Sequence, residues 1–172
     1  MKILVTGGTG YIGSHTVVEL QNKGYEVVIV DALFNSRIQA VDAIEKVSGI
    51  RPEFESFDLA DQRLTEDFFS RHKDIKGIIH FAAHKSVGES VDQPIKYYRN
   101  NLDSLMNILE CMSKYNVPNL VFSSSCTVYG QPDADHLPVS EKAPIKKAES
   151  PYGNTKQIAE EIISESINAY KG

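Results

Sequence analysis

The chain has 172 residues, of which 41% are hydrophobic and 24% charged; this suits one globular domain with a sizeable core and excludes a disordered or fibrous chain. Its net charge of −5 argues against non-specific binding to nucleic acid or to anionic membranes. The two cysteines, Cys111 and Cys126, have no paired spacing and read as reduced, semi-buried thiols. The N-terminus enters a strand directly and no apolar run is long enough to cross a bilayer, so a cytoplasmic protein is expected.

The first element is the apolar strand Lys2-Ile3-Leu4-Val5, followed by Thr6-Gly7-Gly8-Thr9-Gly10-Tyr11-Ile12-Gly13. Read as strand, tight turn and helix start, the motif gives each glycine a task. Gly7 and Gly8 let the chain reverse, Gly10 lets backbone approach a pyrophosphate, and Gly13 lets the helix pack close to the strand. The free N–H groups of the first helical turn then point at an anion. The helix runs over residues 11–23, with Ile12, Val17, Val18 and Leu20 on one stripe, and Gly24 stops it.

A second strand over 25–30 ends in Asp31, where a carboxylate suits the adenosine ribose hydroxyls. That favours NAD over NADP, although Arg37 lies close enough to answer a phosphate. A helix through Ile38, Val41, Ile44 and Val47 ends near Gly49, and Pro52 to Phe57 reads as a short third strand closing with Asp58. Asp58 either touches adenine or caps the next helix, residues 61–71.

The run Gly77 to Ala83 has the continuous apolarity of a strand covered on both faces. Phe81 and Ala82 at its end and Lys85 just beyond it, with Asn100 on the following helix, are placed to line a cofactor; Lys85 as solvated surface and Asn100 as a helix-internal residue are the alternatives. A long helix from about Ile95 to Tyr115 precedes a fifth strand, Asn119 to Ser125. Residues 126–150 lack periodicity, and a last helix starting near Pro151-Tyr152 carries Ile158, Ala159, Ile162, Ile163 and Ile167 on one face. Alternating strands and helices imply an α/β fold, a Rossmann-type doubly wound parallel sheet of order 3-2-1-4-5 with right-handed crossovers and a ligand crevice at the carboxyl ends. Five scattered histidines, none paired at ligand spacing, predict no metal site.

In the last helix, Tyr152 and Lys156 stand one turn apart on one face. A free phenol titrates near about 10, and bringing one to about 7 takes roughly 4 kcal/mol of preferential stabilisation of phenolate. A neighbouring ammonium and the positive ring of NAD⁺ supply that by charge attraction, making Tyr152 a general base for a sugar or alcohol hydroxyl. Ser125, or Thr127 just beyond it, is placed to bond the same hydroxyl, unless these side chains only satisfy backbone groups at the strand end.

Taken together, TGGTGYIGSHT (6–16), Asp31 with Asn35-Ser36, HFAAHKSVGES (80–90), Tyr97-Tyr98-Arg99-Asn100-Asn101, FSSSCTVYG (122–130) and SPYGNTK (150–156) resemble the extended short-chain dehydrogenase/reductase family, most nearly its UDP-hexose 4-epimerases. The resemblance runs over essentially the whole chain. It implies that Tyr152 takes the proton of the sugar 4-hydroxyl while hydride passes from C4 to NAD, that Ser125 contacts the 4-oxygen, and that Lys156 holds ribose and tunes Tyr152. Tyr11, Ile12, Asp31, Asn35, Ser36, Asp58, Leu59, Phe81, Lys85 and Asn100 are the further cofactor contacts it implies. Dehydratases of the family carry an Asp-Glu pair where this chain has Cys126-Thr127, which favours an epimerase or a decarboxylase-like relative. Ala83, His84 and Ser86 depart from the commonest epimerase loop and leave UDP-hexose and UDP-N-acetylhexosamine both open. The resemblance also implies a UDP-sugar substrate, a homodimer paired through the long and final helices, and a C-terminal substrate domain that has no counterpart here. Residues 1–172 are therefore expected to be the NAD-binding domain, cut after the catalytic helix, with an NAD-binding module lacking turnover as the alternative function.

Overall fold

The computed structural model describes residues 1–169. Strand β1 (Lys2–Thr6) is followed by α1 (Tyr11–Asn22), β2 (Glu26–Val30), α2 (Gln39–Ser48), β3 (Glu53–Glu55), α3 (Gln62–Arg71) and β4 (Ile75–His80). Then come α4 (Val87–Asp92), α5 (Pro94–Tyr115), β5 (Leu120–Phe122) and α6 (Pro151–Ala169). The five strands form one parallel sheet in the order β3-β2-β1-β4-β5, as the alternation of elements predicts.

Alternation along β1 divides the core. Ile3 and Val5 join Val27, Ile29, Val17 of α1 and Ile44 of α2 on one face. Leu4 joins Val28, Val30, Ile78, Phe68 and Phe69 of α3 and Ile108 of α5 on the other. Burial on both faces is what a central parallel strand requires, and it explains the unbroken apolar runs.

The sheet's register matters most for the site. Thr6 pairs with both Val30 and His80, Val30 with Glu55, and His80 with Phe122. All five strands therefore end at one level, and the chain leaves the sheet there five times.

Several boundaries differ from the sequence reading. Strand β3 keeps only Glu53–Glu55 and β5 only Leu120–Phe122, because each is an outer strand whose ladder stops where its single neighbour stops. The serines after Phe122 thus lie outside the sheet. Helix α4 was not expected; Ser86 caps it by accepting from the Glu89 N–H at 3.3 Å, and Pro94 separates it from α5 by keeping Gln93 out of helical geometry. At six residues it is too short to show a period. Residues 126–150 are irregular apart from short 3₁₀ turns at Cys126–Tyr129 and Ala134–His136. The isoleucine stripe of α6 is only partly covered, with Ile167 49% exposed, whereas Thr155, Lys156 and Ala159 are buried. Cys111 is buried and Cys126 exposed, both free, so neither is semi-buried. No described helix is long and apolar enough to cross a membrane.

The sheet edge is braced by ion pairs between β3 and the end of α3. Arg71 grips Glu55 through two bonds of 2.8 Å, and His72 adds a third at 2.8 Å. The Arg71 guanidinium, helped by His72 against partial burial, holds the Glu55 carboxyl down to about 2. A carboxyl depressed below its ordinary 4.5 stabilises the fold above that value and loses its contribution as pH falls toward about 2. Urea melts of the wild type should therefore lose midpoint steeply across that window, and Glu55→Gln should lose less; equal losses would contradict the pairing.

Candidate active site

The site begins where β1 ends. Gly7 has φ +68°, and a Cβ there would lie 2.8 Å from the Ala82 amide nitrogen beyond β4. A Cβ on Gly13 would lie 2.3 Å from the Gly7 carbonyl oxygen, so α1 starts in contact with the turn it follows. Gly8 serves packing rather than reversal: its φ is not positive, and a Cβ there would strike the Ile29 side chain at 2.7 Å. Gly10 is the N-cap residue of α1, offers no side-chain cap, and no acid stands in the first turn. The helix thus presents its unneutralised positive end to the space above the strands.

Asp31, at the exit of β2, is 8% exposed. Its Oδ2 accepts from the Thr9 N–H at 3.1 Å and its Oδ1 from the Leu33 N–H at 2.9 Å and the Ser36 hydroxyl at 3.0 Å. The carboxylate therefore ties the glycine turn to the loop after β2 and holds Leu33 at φ 58°, a left-handed geometry costly for a bulky residue. Ser36 also accepts from the Thr9 hydroxyl at 2.7 Å; it supports Asp31 from behind and is not among the described residues lining the cleft.

At the exit of β4, the Thr6 hydroxyl meets His80 Nδ1 at 2.7 Å and accepts from the Ala82 N–H at 3.2 Å. Burial first, and the Lys156 charge second, push His80 down to about 3, so it is a neutral structural ring. Asn101 clamps the next loop, accepting from the His84 N–H at 2.8 Å while its amide donates to the His84 carbonyl at 3.0 Å and to the Thr155 hydroxyl at 3.1 Å. Asp58 folds the turn after β3 by accepting from Ala60 at 2.9 Å, and Asn100 reaches it at 3.4 Å. The cap of α3 is Asp61, so capping is not the task of Asp58.

The fourth wall is the start of α6. Ser150 accepts from the Gly153 N–H and Ser90, from α4, accepts from the Tyr152 N–H, each at 3.1 Å. Lys156 donates to the Ser123 carbonyl at 2.7 Å and lies 4.5 Å from the Phe122 ring centroid. Burial pushes its ammonium down to about 8. Ser125 accepts from the Thr127 hydroxyl at 2.9 Å, so the two candidates for one role bond each other; Ser123 and Ser124, not Ser125, line the cleft.

These walls enclose a cleft of about 300 Å³. It brings together Gly7, Gly10, Tyr11, Ile12, Gly13, Asp31, Asn35, Asp58, Leu59, Phe81, Ala82, Lys85, Asn100, Tyr152 and Lys156, with Lys85 at its exposed rim. Sequence reading missed Phe34, which stacks on His84 at 5.7 Å between centroids and lines the opening. An aromatic side chain directly before the polar run Asn35-Ser36-Arg37 was the available signal. Such a cleft can take an elongated ligand with an anionic centre over α1, hydroxyls at Asp31 and a reacting group at Tyr152.

The family model described as the NAD dependent epimerase/dehydratase family matches residues 3–172. UDP-glucose 4-epimerase uge1 of Schizosaccharomyces pombe is 49% identical over 98% of this chain and 48% of its own length. The Bacillus subtilis UDP-glucose 4-epimerase is 47% identical over 95% of this chain and 47% of its own. Among solved structures, the UDP-glucose 4-epimerase of Bifidobacterium longum in complex with NAD⁺ and UDP superposes with a TM-score of 0.94 at 42% identity, covering 99% of this chain and 50% of that one. The chain spans about half the length of the curated relatives it matches.

Because a methyl at Gly13 meets backbone on both sides, with Gly8 Cα also 2.8 Å away, Gly13→Ala should destabilise the fold by about 1–3 kcal/mol. Denaturant titration checks this, and an unchanged midpoint would mean that α1 and the turn do not pack as described.

Proposed function

The chain belongs to the NAD dependent epimerase/dehydratase family, and from that premise we propose that residues 1–172 form the NAD-binding domain of a cytoplasmic UDP-hexose 4-epimerase acting on UDP-galactose and UDP-glucose. The observation that carries this reading is the common level of the five strand exits. It sets a helix N-terminus without acids, a buried acid and a Tyr-Lys pair around one elongated cleft. The residues fit the cofactor: amides of Tyr11, Ile12 and Gly13 for the pyrophosphate, Asp31 with Asn35 for the adenosine ribose, and Asp58 with Leu59 beside adenine. Ser36 acts by fixing Asp31, while Phe81, Ala82, Lys85 and Asn100 line the part of the cleft nearer Tyr152. An acidic Asp31 with two occupied oxygens disfavours a 2′-phosphate, hence NAD over NADP.

Bound NAD⁺ supplies the acceptor for the C4 hydride and its return to the opposite face. Tyr152, half-exposed at the cleft wall, accepts the proton of the sugar 4-hydroxyl and later gives it back. Lys156 brings a positive charge to the same wall of the cleft, and its contact with the Ser123 carbonyl fixes where that charge sits. The hydroxyl offered to the 4-oxygen is that of Ser125, or that of Ser124 beside it, which lines the cleft. Cys126 and Thr127 offer neither the acid nor the base that eliminating water needs. Similar solved structures are UDP-glucose 4-epimerases in complex with NAD and UDP compounds, which supports a UDP-sugar substrate. Exposed Ile95 and Met106, three turns apart on α5, support pairing of two copies through that helix.

A second reading, an NAD-binding domain without turnover by itself, is favoured by the half-length match to the relatives. Incubation of the protein with UDP-galactose, assayed for UDP-glucose, separates the two: product supports the enzyme, and NAD⁺ binding by calorimetry without product supports the domain alone. If there is turnover, Tyr152→Phe should lower it by about 10²–10⁴-fold with NAD retained; undiminished turnover would remove Tyr152 as the base.

A further inference from the structure

Lys156 is 5% exposed and its ammonium is held among groups that give it little charge compensation. Ser123 offers a neutral carbonyl at 2.7 Å and Phe122 a ring face at 4.5 Å. His80, from β4, is buried and neutral, and Tyr152 stands one turn earlier on the same helix. Among the described residues, the anion whose field acts on Lys156 is Glu160, one turn later on α6 and so on the same face. Glu160 is itself held: the Ser124 hydroxyl donates to its carboxylate. Two successive residues leaving β5 thus engage two successive turns of α6, Ser123 through its carbonyl and Ser124 through its hydroxyl.

We propose that Glu160, fixed by Ser124, is a positioning residue that keeps Lys156 cationic in the working site. The inference rests on the reading of Lys156 as part of the cofactor site and deepens it. Burial pushes Lys156 down to about 8 while Glu160 pulls the other way, so Lys156 is cationic at neutral pH with a narrower margin than an exposed lysine has. An ammonium that has shed its proton no longer brings positive charge to the wall of the cleft that Tyr152 shares. Glu160 therefore sets the upper pH at which the pair works: below the Lys156 midpoint the charge is present, and above it the charge disappears. The acids that share the cleft, Asp31 and Asp58, each accept from N–H groups of their own turns and do not act on Lys156.

The test is direct titration of Lys156 in the full chain. The ¹³Cε–¹Hε resonances are followed from pH 6 to 11, and Lys156 is assigned by its disappearance in Lys156→Arg. Glu160→Gln keeps an oxygen for Ser124 and removes only the charge; it should lower the Lys156 midpoint by about half a pH unit or more. Glu160→Asp should restore most of the shift, and Glu161→Gln, one residue on and exposed, should cause none. A Lys156 midpoint unmoved in Glu160→Gln, or moved equally by Glu161→Gln, would overturn the proposal. The wild-type sample is also assayed for NAD binding by calorimetry. Absence of binding would count against the proposed function, while the titration would still decide the role of Glu160.

Discussion

The contact on which the site depends is the one between the first glycine turn and the exit of β4. A parallel sheet fixes strand direction but leaves open how closely two exits approach. Here Thr6 closes that freedom by bonding both His80 and the Ala82 amide with one hydroxyl, and the absence of a Cβ at Gly7 lets Ala82 sit against the turn. With that distance set, α1 begins against the turn through Gly13, and its amides face the cleft. A larger residue at either glycine would lift the turn and tilt the helix that carries the positive end of the site.

Buried charge is used sparingly and at opposite walls. Asp31 has three donors for its two oxygens, enough to offset the cost of removing a carboxylate from water. It does mechanical work as well, since without it neither Thr9 nor the left-handed Leu33 has its partner. Lys156 has only one strong acceptor, so burial dominates and its proton is held less firmly. The anionic wall is thereby rigid, and the cationic wall is tunable by what lies near it.

Stability is built mostly elsewhere. At the amino ends of the strands, burial alone would push Lys2 down, but Glu53 at 2.9 Å, with Asp74 and Glu26, raises it. The Arg71-Glu55-His72 cluster ties the last residue of the outer strand β3 to the end of α3. None of these ionic partners is among the described residues lining the cleft, so a charged ligand enters without breaking them.

The glycine motif, the acid after β2, the Tyr-Lys spacing and the strand order were all legible in the sequence, because each follows from local periodicity, chain direction and the few crossovers that parallel strands permit. The tertiary structure decided which side chains face the cleft after the strands end. Ser125 and Ser36 turn to partners within their own loops, Ser123 and Ser124 meet α6, and Phe34 covers the opening, because β5 stops level with the last residue of β4 and Asp31 gathers its loop. Where a strand stops depends on the residue beside it in space, and no spacing along the chain encodes that neighbour.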